Sequence, residues 1–471
     1  MLNNLPVKFV LSALILAIGL LESTVFANGP ENARLISGKS SSKPAKPPII
    51  IIPGILGSEL INEKTGEKVW FRISRSDEDD LRLPISLNLN ESRDNLLPGD
   101  IIRTIDLRLL PDIKIYQEII DSLRTRGGYE EASWDRPPRN IDGRFFVFPY
   151  DWRRDNVETA RDLINKIDHL RAKSNTPRAK FDILAHSMGG LIARYAAMYG
   201  RTDLPKGKPR PTWIGEKYFN KVFLFGTPNE GSVEALETIL EGRSSLGGVS
   251  NLPFVRDLTP LDIATMPSVL QLLPYENTVK VFNRDLEPIE INIYNIDVWR
   301  KYGWAVFNKE KQYLKDFSEA EAGRFEQYFS MALDRAKRFH EALRIPTRKK
   351  PSIQFHVVGS DCAETLDALI IYQKGKKWVT LTKPDSFRNS SGTKVPTEAV
   401  KKLIMVPGDG KVSRRSLLGE SLSYGGSKNF GNSAILPITS KVIVCEEHDS
   451  LMGNSTILSR VFEKLAGNSK R

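Results

Sequence analysis

The 471-residue sequence predicts an α/β fold, with a mostly parallel central sheet, flanking helices and an inserted cap. Three observations lead there. Short β-branched or aromatic runs alternate with helical patterns on both sides of residues 230–350, and such alternation implies parallel strands joined by right-handed crossovers. The first run, Ile49-Ile50-Ile51-Ile52, is apolar at every position, as a strand covered on both faces must be. A second run, residues 181–185, apolar except at Asp182, passes at once into a helical pattern rich in small side chains, so Ser187 falls on a tight strand-to-helix turn.

Composition narrows the classes. A chain of this length with 40% hydrophobic residues can bury a large core, as one big domain with insertions or as two domains. Its 68 Lys and Arg against 57 Asp and Glu give a formal charge of +11, which fits contact with anionic lipid head groups and fits a simply soluble protein equally well. No arginine-rich helix or aromatic RNA-binding signature is present, so no nucleic-acid partner is expected. The two cysteines, Cys362 and Cys445, have no zinc-site spacing, so no metal is expected; a disulfide and two buried thiols both remain open.

Taken in order, residues 1–27 read as an export signal. Lys8 precedes an apolar run over residues 9–21, and Val25-Phe26-Ala27 offers small side chains for cleavage. An uncleaved membrane anchor is the alternative, though the run is short for a span. Residues 28–47 are rich in Ser, Lys, Gly and Pro and read as a flexible linker. The core's first part, residues 48–229, opens with the isoleucine strand, which runs into Pro53-Gly54-Ile55-Leu56-Gly57-Ser58. An acidic cluster at residues 77–80 reads as solvated, and a helix is expected over residues 115–126. RFFVFP at 144–149, an amphipathic helix at 157–173, the strand and helix around Ser187, and KVFLF at 221–225 follow.

Alternation then stops over residues 230–350, which read as a cap over the active end of the sheet. Within it Ser318 and Glu321 form a capping box before a helix with Phe325, Tyr328, Phe329, Ala332 and Ala336 at helical spacing. The second core part, residues 351–471, brings a strand within 351–359, a hairpin near 370–382, short strands at 403–406 and 441–445, and a closing helix at 456–465.

The turn Ala185-His186-Ser187-Met188-Gly189 is an A-x-S-x-G form of the nucleophile elbow of α/β-hydrolases. Serine is also a favoured helix N-cap, so the turn alone leaves a structural reading open. An acyl-transfer serine needs a base and an acid, in the chain order Ser, Asp or Glu, His. Of five histidines, His186 adjoins the serine, His169 and His340 lie on helices, and His356 lies within a strand. His448, after the last strand, is left as the base. Asp361 and Asp409 both follow strands, and topology leaves the choice of acid open. The oxyanion donors expected of this fold are the backbone N–H groups of Ile55 and Met188.

The motifs PGILGS, PYDWR, AHSMGG, FLFGTPNEGS, MPSVLQLLP, GDGKVSRRSL and HDSL, in this order, resemble the lecithin:cholesterol acyltransferase family of α/β-hydrolases, with its relatives lysosomal phospholipase A2 and phospholipid:diacylglycerol acyltransferase. The likeness runs from residue 48 to the C-terminus. It implies Ser187 as nucleophile, Asp409 as acid, His448 as base, and Ile55 and Met188 as oxyanion residues. Lys411 stands where the family's turn has threonine. The expected activity is that of an exported serine lipase or acyltransferase without a cofactor. It would act on a lipid ester, in transient contact with a lipid surface, and pass the acyl group to water or an alcohol. A carboxylesterase acting on soluble or polymeric esters with the same triad is the alternative, and a non-catalytic lipid-binding protein is a third.

Overall fold

Seven strands, every neighbouring pair parallel, make the central sheet. They are β1 (Ile49–Ile52), β2 (Glu130–Glu131), β3 (Arg144–Val147), β4 (Phe181–His186), β5 (Phe219–Phe225), β6 (Gln354–Gly359) and β7 (Ile438–Ile443). Their order across the sheet is β7-β6-β5-β4-β1-β3-β2. This computed structural model describes residues 46–71, 80–105, 113–242, 258–275, 278–346, 351–420 and 436–467. The expected export signal, nearly all of the linker and residues 77–79 of the acidic cluster lie outside the described residues.

The isoleucine strand shows why the sheet needs apolar residues at every position. Ile50 and Ile52 pack into one core with the helices Asn156–Lys173 and Met188–Tyr199, while Ile49 and Ile51 pack into a second with Gln117–Thr125 and Ser455–Leu465. Side chains alternate faces along a strand, so helices on both sides leave no face for polar residues. Register then builds one working edge. Ile52 pairs with Ala185 and His186 with Phe225, so β1, β4 and β5 end side by side. Crevices beyond the carboxyl ends of parallel strands are where such sheets place their sites.

Two expected strands are displaced. The last strand spans Ile438–Ile443 rather than 441–445, because β7 is a half-exposed edge whose pairing to β6 slips between Phe355 and His356. Residues 403–404 belong to the helix Thr397–Ile404, and the strand that follows, Met405–Gly408, pairs antiparallel with Ala363–Leu366 outside the central sheet. A disulfide joins Cys362 to Cys445, with Cα atoms 5.3 Å apart, and ties together the segments that leave β6 and β7.

Within residues 230–350, the long helix Glu319–Leu343 opens on the capping box of Ser318 and Glu321. Its C-terminal carbonyls, orphaned as in any helix end, accept from the elbow helix: Arg194 Nη2 donates to Leu343 O at 2.8 Å and Tyr199 Oη to Ala342 O at 2.8 Å. The strand Lys280–Phe282 pairs with Ala368–Lys374, which turns at Gly375 into Lys377–Leu381. Sheet hydrogen bonds therefore cross the boundary expected at residue 350. Among the described residues no helix is long and apolar enough to cross a membrane.

Candidate active site

Ser187 sits between β4 and the helix Met188–Tyr199 with φ 50° and ψ −121°, a conformation that L-residues rarely adopt. Its N–H donates to Phe225 O at 2.7 Å, which anchors the turn to the neighbouring strand. Although Ser187 occupies the N-cap position, its hydroxyl makes no capping bond. The turn is this tight only because the side chains behind it are small. A Cβ on Gly190 would stand 1.9 Å from Thr227 Oγ1, so the helix could not approach β5 with any larger residue there.

The turn after β1 is held from three sides. Tyr150 Oη donates to Pro53 O at 2.9 Å, Trp152 Nε1 to Ser58 O at 3.1 Å, and Gly54 N donates to Tyr116 Oη at 2.8 Å. Ile55 lines the cavity beside Ser187. Met188 opens the elbow helix, and neither its N–H nor that of Ile55 has an acceptor among the described residues.

The two side chains expected as acid and base meet from separate elements. Asp409 Oδ2 lies 2.8 Å from His448 Nδ1, and His448 N donates to Asp409 O at 2.9 Å. Asp409 Oδ1 accepts from the N–H groups of Lys411 and Val412 at 3.0 and 2.7 Å. Gly410 permits this wrap by taking φ 90°. Burial works against the charge on both side chains, but each partner outweighs it: Asp409 is held below the usual carboxylate range and His448 is raised above the usual imidazole value. Asp361 stands elsewhere, half-exposed, with Arg414 Nε at 3.6 Å.

The acid turn hangs on a short strand pair, so something must hold it against the sheet. The loop after β5 does so. Asn229 Nδ2 donates to Leu417 O and Ser232 Oγ to Lys411 O, both at 2.6 Å, while Ser416 Oγ donates to Gly231 O at 2.6 Å. Arg415 joins the buried Glu230 at 2.8 Å and Asp367 at 2.9 Å. Lys411 Nζ also reaches Asp449 at 2.8 Å, which links the acid turn to the base segment. Sequence reasoning gives these residues no role of their own; their signal is that FLFGTPNEGS and GDGKVSRRSL are among the motifs that carry the family resemblance and that both cluster polar side chains beside glycines.

Ser187, His448, Ile55, Ser232, Lys411 and Val269 are among the residues that line a cavity of about 80 Å³. Ser187 and His448 share it without a hydrogen bond between their side chains; in unliganded sites such bonds are often long and tighten when substrate binds. Among the described residues no group of three His, Cys, Asp or Glu side chains gathers to hold a metal.

The other buried histidines stay neutral. Burial pushes His186 and His356 down to about 4 and His340 down to about 3, with neighbouring cationic groups adding to the effect. Each takes up a proton near pH 6.5 in the unfolded chain and resists it when folded. The stability each contributes, on the order of 3 to 5 kcal/mol, is therefore complete above pH 6.5 and lost as pH falls through about 4 for His186 and His356 and about 3 for His340. His448, raised when folded, has the opposite sign and offsets part of this. Thermal unfolding followed by circular dichroism should give a melting temperature that is level near pH 7 and falls steeply between pH 6 and 4. A level profile down to pH 4 would contradict these buried neutral states.

The family model described as lecithin:cholesterol acyltransferase matches residues 112–418 of this chain. No curated protein matches the chain significantly. Among solved structures, the Tle4–Tli4 complex contains a chain that is similar at 16% identity and a TM-score of 0.55, over 90% of this chain and 99% of that one. That likeness is one of fold. A lipase 1 from Pelosinus fermentans aligns at 12% identity over 91% and 99% of the two chains, with a TM-score of 0.33, too low to support anything further.

Proposed function

The chain belongs to the lecithin:cholesterol acyltransferase family, and from that premise we propose that it is a serine acyl hydrolase or acyltransferase of lipid esters. One observation carries the residue assignment: the buried Asp409–His448 pair opens on the same cavity as a serine held on a strained turn. In this reading Ser187 Oγ attacks the ester carbonyl while His448 Nε2 takes its proton. Asp409 holds Nδ1–H and stabilises the imidazolium, and the N–H groups of Ile55 and Met188 receive the oxyanion. Collapse of the tetrahedral intermediate breaks the ester C–O bond, and the leaving alcohol takes the proton back from His448. Water or a second alcohol then attacks acyl-Ser187 by the same route, and free serine is regenerated.

The disulfide between Cys362 and Cys445 supports an exported location, because such bonds persist in oxidising compartments. The basic charge supports transient contact with an anionic lipid surface, and residues 230–350 serve in this reading as the cap. The second reading is a carboxylesterase that acts on soluble or polymeric esters with the same triad. Incubation with phospholipid liposomes containing a sterol or a diacylglycerol, followed by identification of every acylated product, separates the two. The lipid reading expects lysophospholipid together with free fatty acid or an acylated alcohol. Turnover of short soluble esters alone, with no gain at an interface, would favour the second.

A further inference from the structure

Three corners of the site, which arrive on different elements, are joined by two buried side chains outside the triad. Gly54 N donates to Tyr116 Oη at 2.8 Å, Tyr116 Oη lies 3.0 Å from His186 Nδ1, and His186 Nε2 lies 3.1 Å from His448 O. The direction of every bond follows from the two ends. A carbonyl oxygen only accepts, so the His186 proton is on Nε2. Nδ1 is then a bare lone pair, and the tyrosine hydroxyl must donate to it. That hydroxyl keeps a lone pair for the Gly54 N–H. Tyr116 is 2% exposed and His186 6%, so both side chains make these bonds in a largely desolvated setting. The neutral state this arrangement requires agrees with burial and the adjacent His448, which lower His186 to about 4.

We propose that Tyr116 and His186 form a positioning bridge, which sets the turn bearing the Ile55 N–H and the segment bearing His448 at a fixed separation on either side of Ser187. The inference rests on the acyl-transfer reading given above. The bridge makes its hydrogen bonds to backbone groups, Gly54 N and His448 O, and to neither the Ser187 hydroxyl nor the His448 ring, although His186 also lines the cavity. Its effect is therefore on the alignment of oxyanion donor and base, which matters in the transition state and little in substrate binding.

Tyr116→Phe removes the one oxygen that serves both Gly54 and His186 and leaves the ring in place. With a short soluble ester as substrate, kcat should fall by roughly one hundredfold with KM changed less than threefold, the size of effect that a misplacement of about 1 Å produces. Affinity for an alkyl boronic acid, whose tetrahedral adduct with serine places an oxygen in the oxyanion site, should fall by the same factor as kcat/KM. His186→Gln can still donate to the His448 carbonyl and should keep more activity than His186→Leu. Equal losses in Gln and Leu, loss of KM rather than kcat, or unchanged boronate affinity in Tyr116→Phe would each overturn the bridge. If Tyr116→Phe folds poorly, the ordering of Gln and Leu at equal melting temperature still decides. A wild-type protein without esterase activity would fail the acyl-transfer reading itself. An active wild type with an unimpaired Tyr116→Phe fails the bridge alone.

Discussion

Replacement of Ser187 by alanine is expected to lower ester turnover by about a million-fold, the loss seen when a triad nucleophile is removed and only binding and oxyanion stabilisation remain. The size follows from what the hydroxyl does. It makes no capping bond, so its removal takes away a nucleophile and leaves the helix start as it was. Alanine fits the turn, because the crowding lies behind it, at Gly190 against Thr227. The folded state should therefore change by no more than about 1 kcal/mol. A fluorophosphonate probe should label the wild type at Ser187 and leave Ser187→Ala unlabelled, with matching melting curves. A variant that kept most of its activity would remove Ser187 from the mechanism.

How legible the site was depends on how local its determinants are. β1 and β4 could be read because burial on both faces leaves every position of β1 and most of β4 apolar, and the elbow because a tight turn needs small residues beside the serine. The helix Met188–Tyr199 begins directly after Ser187, where the small-residue pattern begins. The acid could not be read from topology, because Asp361 and Asp409 both follow short strands. What separates them is long-range: Asp409 meets His448 at 2.8 Å, and the clasp of Asn229, Glu230 and Ser232 holds the segment after Asp409 across nearly two hundred residues of chain. Likewise nothing local marks Tyr116. An aromatic residue in the first turn of an expected helix reads as core, and only the fold brings its hydroxyl to His186. The pairing of Lys280–Phe282 with Ala368–Lys374 was hidden for the same reason: strand periodicity shows that a strand exists and says nothing about its partner.

That difference between the two carboxylates gives the second large effect. Asp409→Asn should lower kcat by about ten-thousand-fold, because an amide facing His448 Nδ1 favours the tautomer whose proton is on Nε2, where the serine proton has to go. The pH profile carries a second signature. In the wild type the Asp409 carboxylate outweighs burial and raises His448 above its ordinary value. The base is free only in its neutral form, so the acidic limb of kcat/KM should lie above pH 6.5. Without the carboxylate, burial remains and lowers His448, and the limb should move to lower pH while the plateau falls. Asp361→Asn serves as the comparison. Asp361 is half-exposed, with an arginine at 3.6 Å, and its loss should change kcat by less than about twofold. If Asp361→Asn were the crippled variant and Asp409→Asn the active one, the acid would have been assigned to the wrong turn. An unmoved acidic limb in Asp409→Asn would mean that some group other than His448 sets the profile.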